Sequence, residues 1–444
     1  MAATSKRGAF GSRLGFILAA AGSAIGLGNI WRFPYTAGQH GGAAFILVYL
    51  ICVVVICLPV LFAELAIGRA SQKSPVGAFA RLAPRSPWPL VGALGVITGF
   101  AILAFYAVVA GWTLGYLGRA LVGRFAGAMT HDQSVAAFDA ISGAPVVSIA
   151  LTALFLTLTA LVVRSGVQGG IEMASKILMP VFFVLLVGLA VRSMTLPGAS
   201  EGLRFLFHVD LSKITLSVVV GALGQAFFSL SLGMGAMITY GSYLSHDERL
   251  PGAAFSVAAA DTAIALLAGL IIFPALFAAG GDPSGGPGLV FVVLPSIFHQ
   301  LPLGGVFAAA FYALLAIAAL TSTISLLEVV VSYFVDEKGW SRERTTWLVT
   351  FACFLLAVPS ALWGSFLDWQ SVIFGNYALT IGALLICLFV GWKWGVGSAL
   401  AEIARGGAPL PLGRVWGLIV RFLAPLAIIV ILAGVVGLIP GVEF

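Results

Sequence analysis

Residues 22–34 read Gly-Ser-Ala-Ile-Gly-Leu-Gly-Asn-Ile-Trp-Arg-Phe-Pro, the most informative segment of the sequence. It lies in an apolar segment long enough to cross a bilayer, yet it contains three glycines, an asparagine, an arginine and a proline. In hydrocarbon every backbone N–H and C=O group needs a partner, so irregular backbone persists only where protein encloses it. The stretch therefore predicts a broken helix with a mid-membrane binding site, because freed carbonyls bind cations and a half-helix N-terminus binds anions.

The composition is that of an integral membrane protein. Of the 444 residues, 60% are hydrophobic and only 9% are charged. A membrane-spanning helix needs about 20 predominantly apolar residues, and eleven stretches of the chain meet this requirement. The sequence therefore predicts an all-α membrane protein with about eleven transmembrane helices. The predicted spans are residues 14–37, 43–69, 89–120, 146–164, 172–192, 215–243, 252–279, 304–335, 343–364, 370–393 and 412–438.

The positive charges predict how the chain crosses the membrane. With a cytoplasmic N-terminus, fifteen lysines and arginines fall in inner loops and five in outer loops. Because inner loops are enriched in these residues, we expect the N-terminus inside and, after an odd number of spans, the C-terminus outside. The first span lacks an A-x-A-type cleavage site, so we expect it to be retained. The five outer residues are Arg119, Arg124, Arg192, Arg204 and Lys213.

Several absences favour a bacterial inner or plasma membrane. All four cysteines fall within predicted spans, without the spacing of a metal site. Neither of the two asparagines, Asn29 and Asn376, begins a glycosylation sequon. The net charge of +6 is spread over loops, which does not favour nucleic-acid binding. We therefore expect a multi-pass protein surrounded by lipid, with no nucleic acid and no obligate protein partner.

The chain shows a sign of internal symmetry. Gly26-Leu-Gly28 interrupts the first span, and Gly233-Met-Gly235 interrupts the sixth. One such pair alone is more typical of close helix packing, but two at matching places, each beside polar groups, indicate an inverted-repeat transporter with broken helices 1 and 6. We predict a single transmembrane domain over residues 1–444. Its predicted parts are two five-helix repeats at about 14–192 and 215–393 and an additional helix at 412–438.

Polar side chains within the spans are few, and such groups are costly in a membrane and usually functional. Asparagine, aspartate, serine and threonine supply hard oxygen ligands that suit an alkali cation. The five histidines fall in loops or at helix ends, which argues against a transition-metal site or a Ser–His hydrolase. The polar residues are Asn29, Arg32, Glu64, Gln225, Ser229, Ser231, Asp261, Thr321, Ser322, Thr323 and Glu328.

Structural alternatives exist for several of these signals. Asn29 could cap the half-helix that follows the break. The hydroxyls of residues 321–323 could form helix–helix hydrogen bonds, and Tyr106 could belong to an interfacial aromatic belt. Asp261 has no basic neighbour in its span, which favours a cation or proton as its partner over a structural role.

Three segments identify a resemblance to a known family. Gly22–Tyr35, Phe227–Ala236 and Ala318–Ser322 resemble the signature segments of the neurotransmitter:sodium symporter family, in particular its bacterial eleven-helix amino-acid transporters. The likeness extends over nearly the whole chain. It implies sodium-coupled symport by alternating access, with two sodium ions, no organic cofactor and no enzymatic chemistry. The broken helices of one bacterial member are the worked example of the general rule applied above.

The resemblance implies two sodium sites. The first would use Asn29, Ser229, Asp261 and the Ala24 carbonyl, completed by the substrate carboxylate. The second would use the Gly22, Ile25 and Ala318 carbonyls with the Thr321 and Ser322 hydroxyls. Many members have a neutral asparagine where this chain has Asp261, and chloride-dependent relatives use an ion to offset charge there, so we expect no chloride requirement.

The resemblance also implies a substrate site. The substrate carboxylate would contact amides near Leu27 and Gly28 and the Tyr106 hydroxyl, and the α-amino group would contact carbonyls near Ser229. Monoamine carriers have a carboxylate near the Gly26 position, so glycine there favours a substrate with its own carboxylate. The mostly apolar wall predicts a hydrophobic or aromatic L-amino acid. The residues implied around the substrate, besides those named, are Ala24, Ile102, Phe228, Ser231, Met234, Ser322 and Leu326.

Gates follow from the same resemblance. On the outer side Arg32, Gln225, Tyr106 and Phe228 would close over the substrate. The family's acidic partner for the arginine is replaced by Ser371, and Asp368 lies one turn earlier, so either Asp368 substitutes or the outer salt bridge is missing. On the inner side the implied pair is Arg7 and Asp336, with Ser242 and Tyr243 nearby and Phe10 in place of the family's tryptophan.

The function expected from the sequence is sodium-coupled import of hydrophobic or aromatic L-amino acids. Alternatives are a transporter of the same fold for another amino acid or a small osmolyte, and an amino-acid sensor that does not transport. Candidates for both gates argue against the sensor. A membrane enzyme is disfavoured because the sequence has no catalytic constellation.

Overall fold

The membrane helices of the predicted all-α fold are present in the structure. The computed structural model describes residues 8–124, 131–283, 286–298, 303–407 and 409–438. Within these ranges nine helices are long and apolar enough to cross a membrane, and a pair of helices bent by 49° adds a tenth. A further apolar helix of the sixth predicted span is shorter. Each of the eleven predicted spans therefore coincides with one helix or one broken pair.

The first and sixth spans are the broken ones, as the sequence predicts. The first consists of α1 (Arg13–Ala24) and α2 (Gly28–Gln39). The sixth consists of α7 (Leu216–Ser229) and α8 (Ala236–Gly241). The unbroken helices are α3 (Ala43–Ser71), α4 (Pro89–Leu121), α5 (Pro145–Val163), α6 (Val167–Met194), α9 (Leu250–Ala278), α10 (Gly304–Lys338), α11 (Arg342–Leu362), α12 (Gly364–Ala404) and α13 (Gly413–Val435).

Helix α12 is longer than the predicted span 370–393. Its last part, Val396–Ala404, follows a bend at Gly395, where φ is +92°. This part carries Glu402, whose carboxylate accepts a hydrogen bond from Arg69 Nε at 2.8 Å. Arg69 is fully buried and also donates to the backbone carbonyl of Glu248 at 2.7 Å. The extension therefore ties α12 to α3 and to the segment before α9, which hydropathy alone does not indicate.

Glycine permits the break in the sixth span. Between α7 and α8 the chain passes through positive φ at Ser231 (54°), Gly233 (89°) and Gly235 (79°). A Cβ atom on Gly233 would overlap the carbonyl oxygen of Leu379 in α12. The Gly233 N–H group, which has no helical acceptor, donates to the Glu64 carboxylate at 2.7 Å. Glu64 thus stabilises the break, and we find it outside the predicted sodium clusters.

The two breaks face one another in the centre of the bundle. Ser231 Oγ in the sixth span donates to the Ser23 carbonyl at 3.1 Å, and Gln225 Nε2 donates to the Gly28 carbonyl at 2.8 Å. The long helices α4 and α10 pack along one another beside them. The irregular backbone is therefore enclosed by protein, as the membrane environment requires.

We expect Gly233→Ala to destabilise the protein. A residue with a Cβ atom pays about 1–2 kcal/mol for the left-handed conformation, and the methyl group also displaces α12. Gly118→Ala in α4 is the matched control, because a Cβ atom there meets nothing within 4 Å. Thermal unfolding in detergent should show a lower midpoint for Gly233→Ala and an unchanged or higher midpoint for Gly118→Ala. Equal midpoints for the two variants would contradict this account of the break.

Candidate functional site

A cavity lies between the two breaks, bounded by α4 and α10. The space between the lining residues is about 340 Å³, part of it open to solvent. Nine of the eleven residues that the resemblance implies around the substrate line this cavity, so the structure brings them together. The lining residues are Ser23, Ala24, Gly26, Gly28, Ile102, Tyr106, Phe228, Ser231, Met234, Ser322, Ser325 and Leu326.

One side of the cavity is polar. The Leu27 N–H group donates to the Tyr106 hydroxyl at 2.7 Å, so Tyr106 is held against the break and does not belong to an interfacial belt. The Ser23 hydroxyl is buried and has no hydrogen-bond partner among the described residues. Sequence reasoning missed Ser23 as a cavity residue, although it lies inside the quoted stretch. A buried, unpartnered hydroxyl on a cavity wall is available to a polar ligand.

The rest of the lining is mostly apolar. This apolar wall consists of Ile102 from α4, Leu326 from α10, Phe228 at the end of α7 and Met234 within the sixth-span break. Such a division between a few convergent polar groups and an apolar wall is typical of sites that bind small molecules.

Glycine is required at position 26. A Cβ atom there would overlap the hydroxyls of Ser322 and Tyr106. The space that a side chain at this position would occupy is thus already filled by two polar groups of neighbouring helices. The arrangement agrees with the inference from sequence that no carboxylate is supplied to the ligand from position 26.

The residues of the first predicted sodium site form one buried cluster. Asn29 Nδ2 donates to Asp261 Oδ1 at 2.7 Å and to Ser229 Oγ at 3.0 Å, and Ser229 Oγ lies 2.8 Å from Asp261 Oδ2. Asn29 Oδ1 accepts the Gly26 N–H at 3.1 Å. The Tyr49 hydroxyl reaches Asp261 Oδ2 at 3.4 Å, a contact that sequence reasoning missed. Asn29 therefore forms hydrogen bonds both with the backbone of the first-span break and with the Asp261 carboxylate, so it does more than cap a helix.

The residues of the second predicted site meet between the end of α1 and α10. Thr321 Oγ1 lies 3.0 Å from the Ala318 carbonyl and 3.4 Å from the Ile25 carbonyl. Ser322 Oγ lies 3.3 Å from the same Ile25 carbonyl. Gly22 packs against the Thr321 side chain, where an added Cβ atom would come within 3.2 Å. Carbonyl and hydroxyl oxygens of two helices thus converge, as a hard cation requires.

The cavity is covered at one end by Arg32. Its guanidinium carbon lies 4.5 Å from the centre of the Phe228 ring, and its Nη2 donates to Asn376 Oδ1 at 3.2 Å. Asp368 is exposed, and the structure does not pair it with Arg32. Among the described residues Arg32 has an amide partner in α12 in place of a carboxylate. The sequence did contain a signal for Asn376, since it is a rare amide within a predicted span.

At the opposite end the predicted Arg7–Asp336 pair is only partly described. Arg7 lies outside the described residues, and Asp336 accepts the Ser74 N–H group at 2.8 Å. Phe10 packs edge-on against Tyr240 and Tyr243, with ring centres 5.8 and 6.2 Å apart. An aromatic plug therefore does occupy this end.

An ion pair lies at the same end, fully buried at Glu328 and partly buried at Arg342. Arg342 of α11 donates through both terminal nitrogens to the Glu328 carboxylate of α10, each at 2.7 Å. The Tyr243 hydroxyl donates to Glu328 Oε1 at 2.5 Å. Sequence reasoning identified Glu328 as an intramembrane carboxylate but counted Arg342 only as a loop charge. The two are 14 residues apart, and only the packing of α10 against α11 brings them together.

We expect Glu328 and Arg342 to be energetically coupled. Removing one partner of a buried pair leaves an uncompensated charge and costs about 3–5 kcal/mol, so Glu328→Gln and Arg342→Met should each reduce the free energy of unfolding in detergent micelles. The double variant should lose less than the sum of the two single losses.

The exposed pair of Arg164 and Glu343, 3.8 Å apart, is the control for this cycle. Glu343→Gln should change the free energy of unfolding by less than about 1 kcal/mol, because exposed pairs contribute little. Additive effects of Glu328→Gln and Arg342→Met would contradict the pairing.

Comparison with known proteins agrees with this geometry. The sequence profile of the sodium:neurotransmitter symporter family matches residues 7–136 and 133–440. A sodium-dependent transporter of Bacillus subtilis, YhdH, described as uncharacterized, is 39% identical over 96% of this chain and 97% of its own length. An uncharacterized sodium-dependent transporter of Methanocaldococcus jannaschii, MJ1319, is 32% identical over 95% of this chain and 89% of its own.

A solved structure is also similar. The crystal structure of MhsT in complex with L-phenylalanine superposes with a TM-score of 0.89, at 48% sequence identity, over 96% of this chain and 99% of that one. The relatives named as sodium-dependent transporters, the matching profile and the broken-helix site lead to one conclusion. This chain is a multi-pass membrane transporter that belongs to the sodium:neurotransmitter symporter family.

Proposed function

We propose that this symporter couples sodium to the uptake of hydrophobic or aromatic L-amino acids. The observation that carries the proposal is the cavity between the two breaks, polar on one side and apolar on the other, with an oxygen-rich cluster near each break. No other arrangement in the described chain offers a carboxylate-binding break, an apolar wall and cation ligands together.

The α-amino acid backbone would bind at the broken helices. Its carboxylate would accept hydrogen bonds from the amide of Gly28 and the hydroxyl of Tyr106, at the N-terminus of α2, where the helix dipole favours an anion. Its amino group would donate to carbonyls freed by the sixth-span break, beside Ser229. The unpartnered Ser23 hydroxyl offers a further contact. A substrate with its own carboxylate fits the absence of a side chain at Gly26.

The substrate side chain would occupy the apolar wall. Burying a leucine- or phenylalanine-sized side chain contributes about 1.5–3 kcal/mol, and Ile102, Phe228 and Leu326 would supply most of that contact. Met234 is unbranched and adaptable, so the wall would accommodate several shapes. The complex of the 48% identical MhsT with L-phenylalanine supports this substrate class for the present chain.

Two sodium ions would couple binding to conformation. At the first site Asn29 would turn its Oδ1 toward the ion and release the hydrogen bond from its Nδ2 to Asp261, and the substrate carboxylate would complete the shell. At the second site the Ile25 carbonyl and the hydroxyls of Thr321 and Ser322 would bind the other ion. Each ion bridges a broken helix to an unbroken neighbour, so sodium fixes their relative position.

Alternating access would open one end of the cavity at a time. The end covered by Arg32 would face outward, and the end with Tyr243 and Glu328 would face the cytoplasm. The N-terminus would lie on the cytoplasmic side of the cell membrane. Asp261 places a fixed negative charge beside the first sodium site, so no chloride ion would be needed. A proton on Asp261 would balance that charge after sodium leaves. This cycle requires that each end of the cavity can close, whereas a sensor that does not transport needs no such pair of gates.

Uptake into liposomes tests the proposed function. An inward sodium gradient should drive accumulation of labelled L-phenylalanine and L-leucine, a potassium gradient should not, and replacing chloride with gluconate should leave uptake unchanged. Asp261→Asn removes the charge beside the sodium ion and should reduce uptake at least tenfold. Asp210→Asn, in an exposed segment, is the matched control and should retain full uptake.

Equal flux in potassium would contradict sodium coupling, and loss of uptake without chloride would contradict the role given to Asp261. Amino-acid binding without flux would favour the sensor. Uptake of betaine in place of either amino acid would favour the osmolyte carrier.

We expect Gly26→Ala to weaken L-phenylalanine binding. The methyl group collides with the Ser322 and Tyr106 hydroxyls, and overpacking of this kind costs about 1–3 kcal/mol, which in the bound state corresponds to a rise in Kd of about five- to 140-fold. Gly99→Ala is the control, since its Cβ atom would lie at an ordinary 3.5 Å from the Met234 carbonyl. Equilibrium binding in sodium buffer measures both. An unchanged Kd for Gly26→Ala would place the substrate elsewhere.

A further inference from the structure

A second cavity lies where α1 and α9 begin, at the end of the bundle that carries Glu328 and Arg342. About 680 Å³ between these helices and the segment before α13 is unfilled, part of it open to solvent. The lining residues are Arg13, Arg249, Pro251, Gly252, Gly407, Pro409 and Pro411.

The two arginines of this cavity have no partner within the described chain. Neither guanidinium forms a hydrogen bond or an ion pair there, although both line the same space. The nearby carboxylate of Glu402 is already used by Arg69 and Arg405, at 2.8 and 3.0 Å. Both arginines are exposed, and two guanidinium groups that line one cavity without a carboxylate favour the binding of an anion from solution.

The start of α9 supplies a second, independent observation. This 29-residue helix has no side-chain cap, and its first turn contains no acidic residue. The first N–H groups of a helix have no intrahelical acceptor, and here Arg249 stands at the N-cap position. By contrast, the Ser12 hydroxyl caps α1 by accepting the Gly15 N–H at 3.0 Å. Pro251 has no N–H group and the Ala253 N–H donates to the Arg249 carbonyl, so the uncapped end of α9 offers the Leu250 and Gly252 N–H groups and a positive dipole end to an anion.

The local sequence keeps this end open. Gly252 lies in the first turn of α9, and a Cβ atom there would come within 2.9 Å of Arg13 Nη2. The absence of a side chain lets the Arg13 guanidinium approach the first turn closely. Arg13 and the uncapped turn thus face the same space.

We propose that Arg13 and Arg249 bind a phosphate group at this cavity. Guanidinium groups bind phosphate through paired N–H donors, and the first turn of α9 would complete the contact. Exposed apolar side chains on the same elements favour the phosphate of a membrane lipid, since they can contact its acyl chains. These side chains are Leu14 (62% exposed), Phe255 (62%) and Leu412 (76%).

The bound phosphate would link the starts of two helices. Arg13 is the first residue of α1, the half-helix that precedes the first break, whereas Arg249 precedes the unbroken α9. A ligand that bridges them would oppose movement of α1 away from α9. The site itself needs neither sodium nor an amino acid.

Lipid binding to the purified full-length protein tests the site. Native mass spectrometry would measure retention of phosphatidylglycerol and phosphatidylcholine by the wild type, by R13Q/R249Q, and by the control R85Q/R344Q, which removes the same charge from exposed positions. We expect R13Q/R249Q to bind phosphatidylglycerol at least tenfold more weakly and the control to stay within twofold. Phosphatidylcholine should compete poorly, because it lacks net negative charge.

A second experiment distinguishes the phosphate of a lipid from free phosphate in solution as the bound group. Inorganic phosphate would be titrated while the thermal midpoint is followed. A rise in the midpoint that depends on both arginines, without preference for phosphatidylglycerol, would support the site and assign it to free phosphate. If R13Q/R249Q does not fold, R13K/R249K keeps the charge, loses the paired donors and should bind three- to tenfold more weakly. Equal binding of both probes to the wild type and either variant would overturn the proposal, whatever the outcome of the uptake experiments.

Discussion

The structure depends on one constraint, the need to satisfy backbone groups that two broken helices release inside a membrane. The Gly26 N–H is taken by Asn29, the Gly233 N–H by Glu64, and the Gly28 carbonyl by Gln225. Each partner is a polar side chain that would be costly in a span without such a break. The same irregular backbone forms the polar side of the central cavity. The groups that satisfy the broken backbone and the groups that form the binding site therefore lie in the same place. This explains why intramembrane polar residues concentrate at the breaks.

The two ends of the cavity are closed by different chemistry. Arg32 is held by an amide oxygen and an aromatic ring, contacts that contribute about 0.5–3 kcal/mol each. At the other end Glu328 and the partly buried Arg342 form an ion pair with two short hydrogen bonds.

Much of this fold could be predicted from the sequence, since hydropathy locates the spans and glycine pairs locate the breaks. The cluster of Asn29, Ser229 and Asp261 was predicted through family resemblance, because residues 200 positions apart share no local pattern. Partner choice at the ends was not predicted. Whether Arg32 meets Asp368 or Asn376 depends on the rotation of α12, and the Glu328–Arg342 pair depends on the packing of two helices. The periodicity of a single helix determines neither the rotation of α12 nor the packing of α10 against α11.

The central claim is that sodium and the amino acid bind as a linked pair at the breaks. Equilibrium binding of L-phenylalanine over a range of sodium concentrations, at constant ionic strength, tests it most directly. The account predicts that Kd falls steeply as sodium rises, with a logarithmic slope approaching two, and that L-phenylalanine tightens sodium binding by the same factor, as linkage requires. A Kd that is identical in sodium and in choline would contradict it.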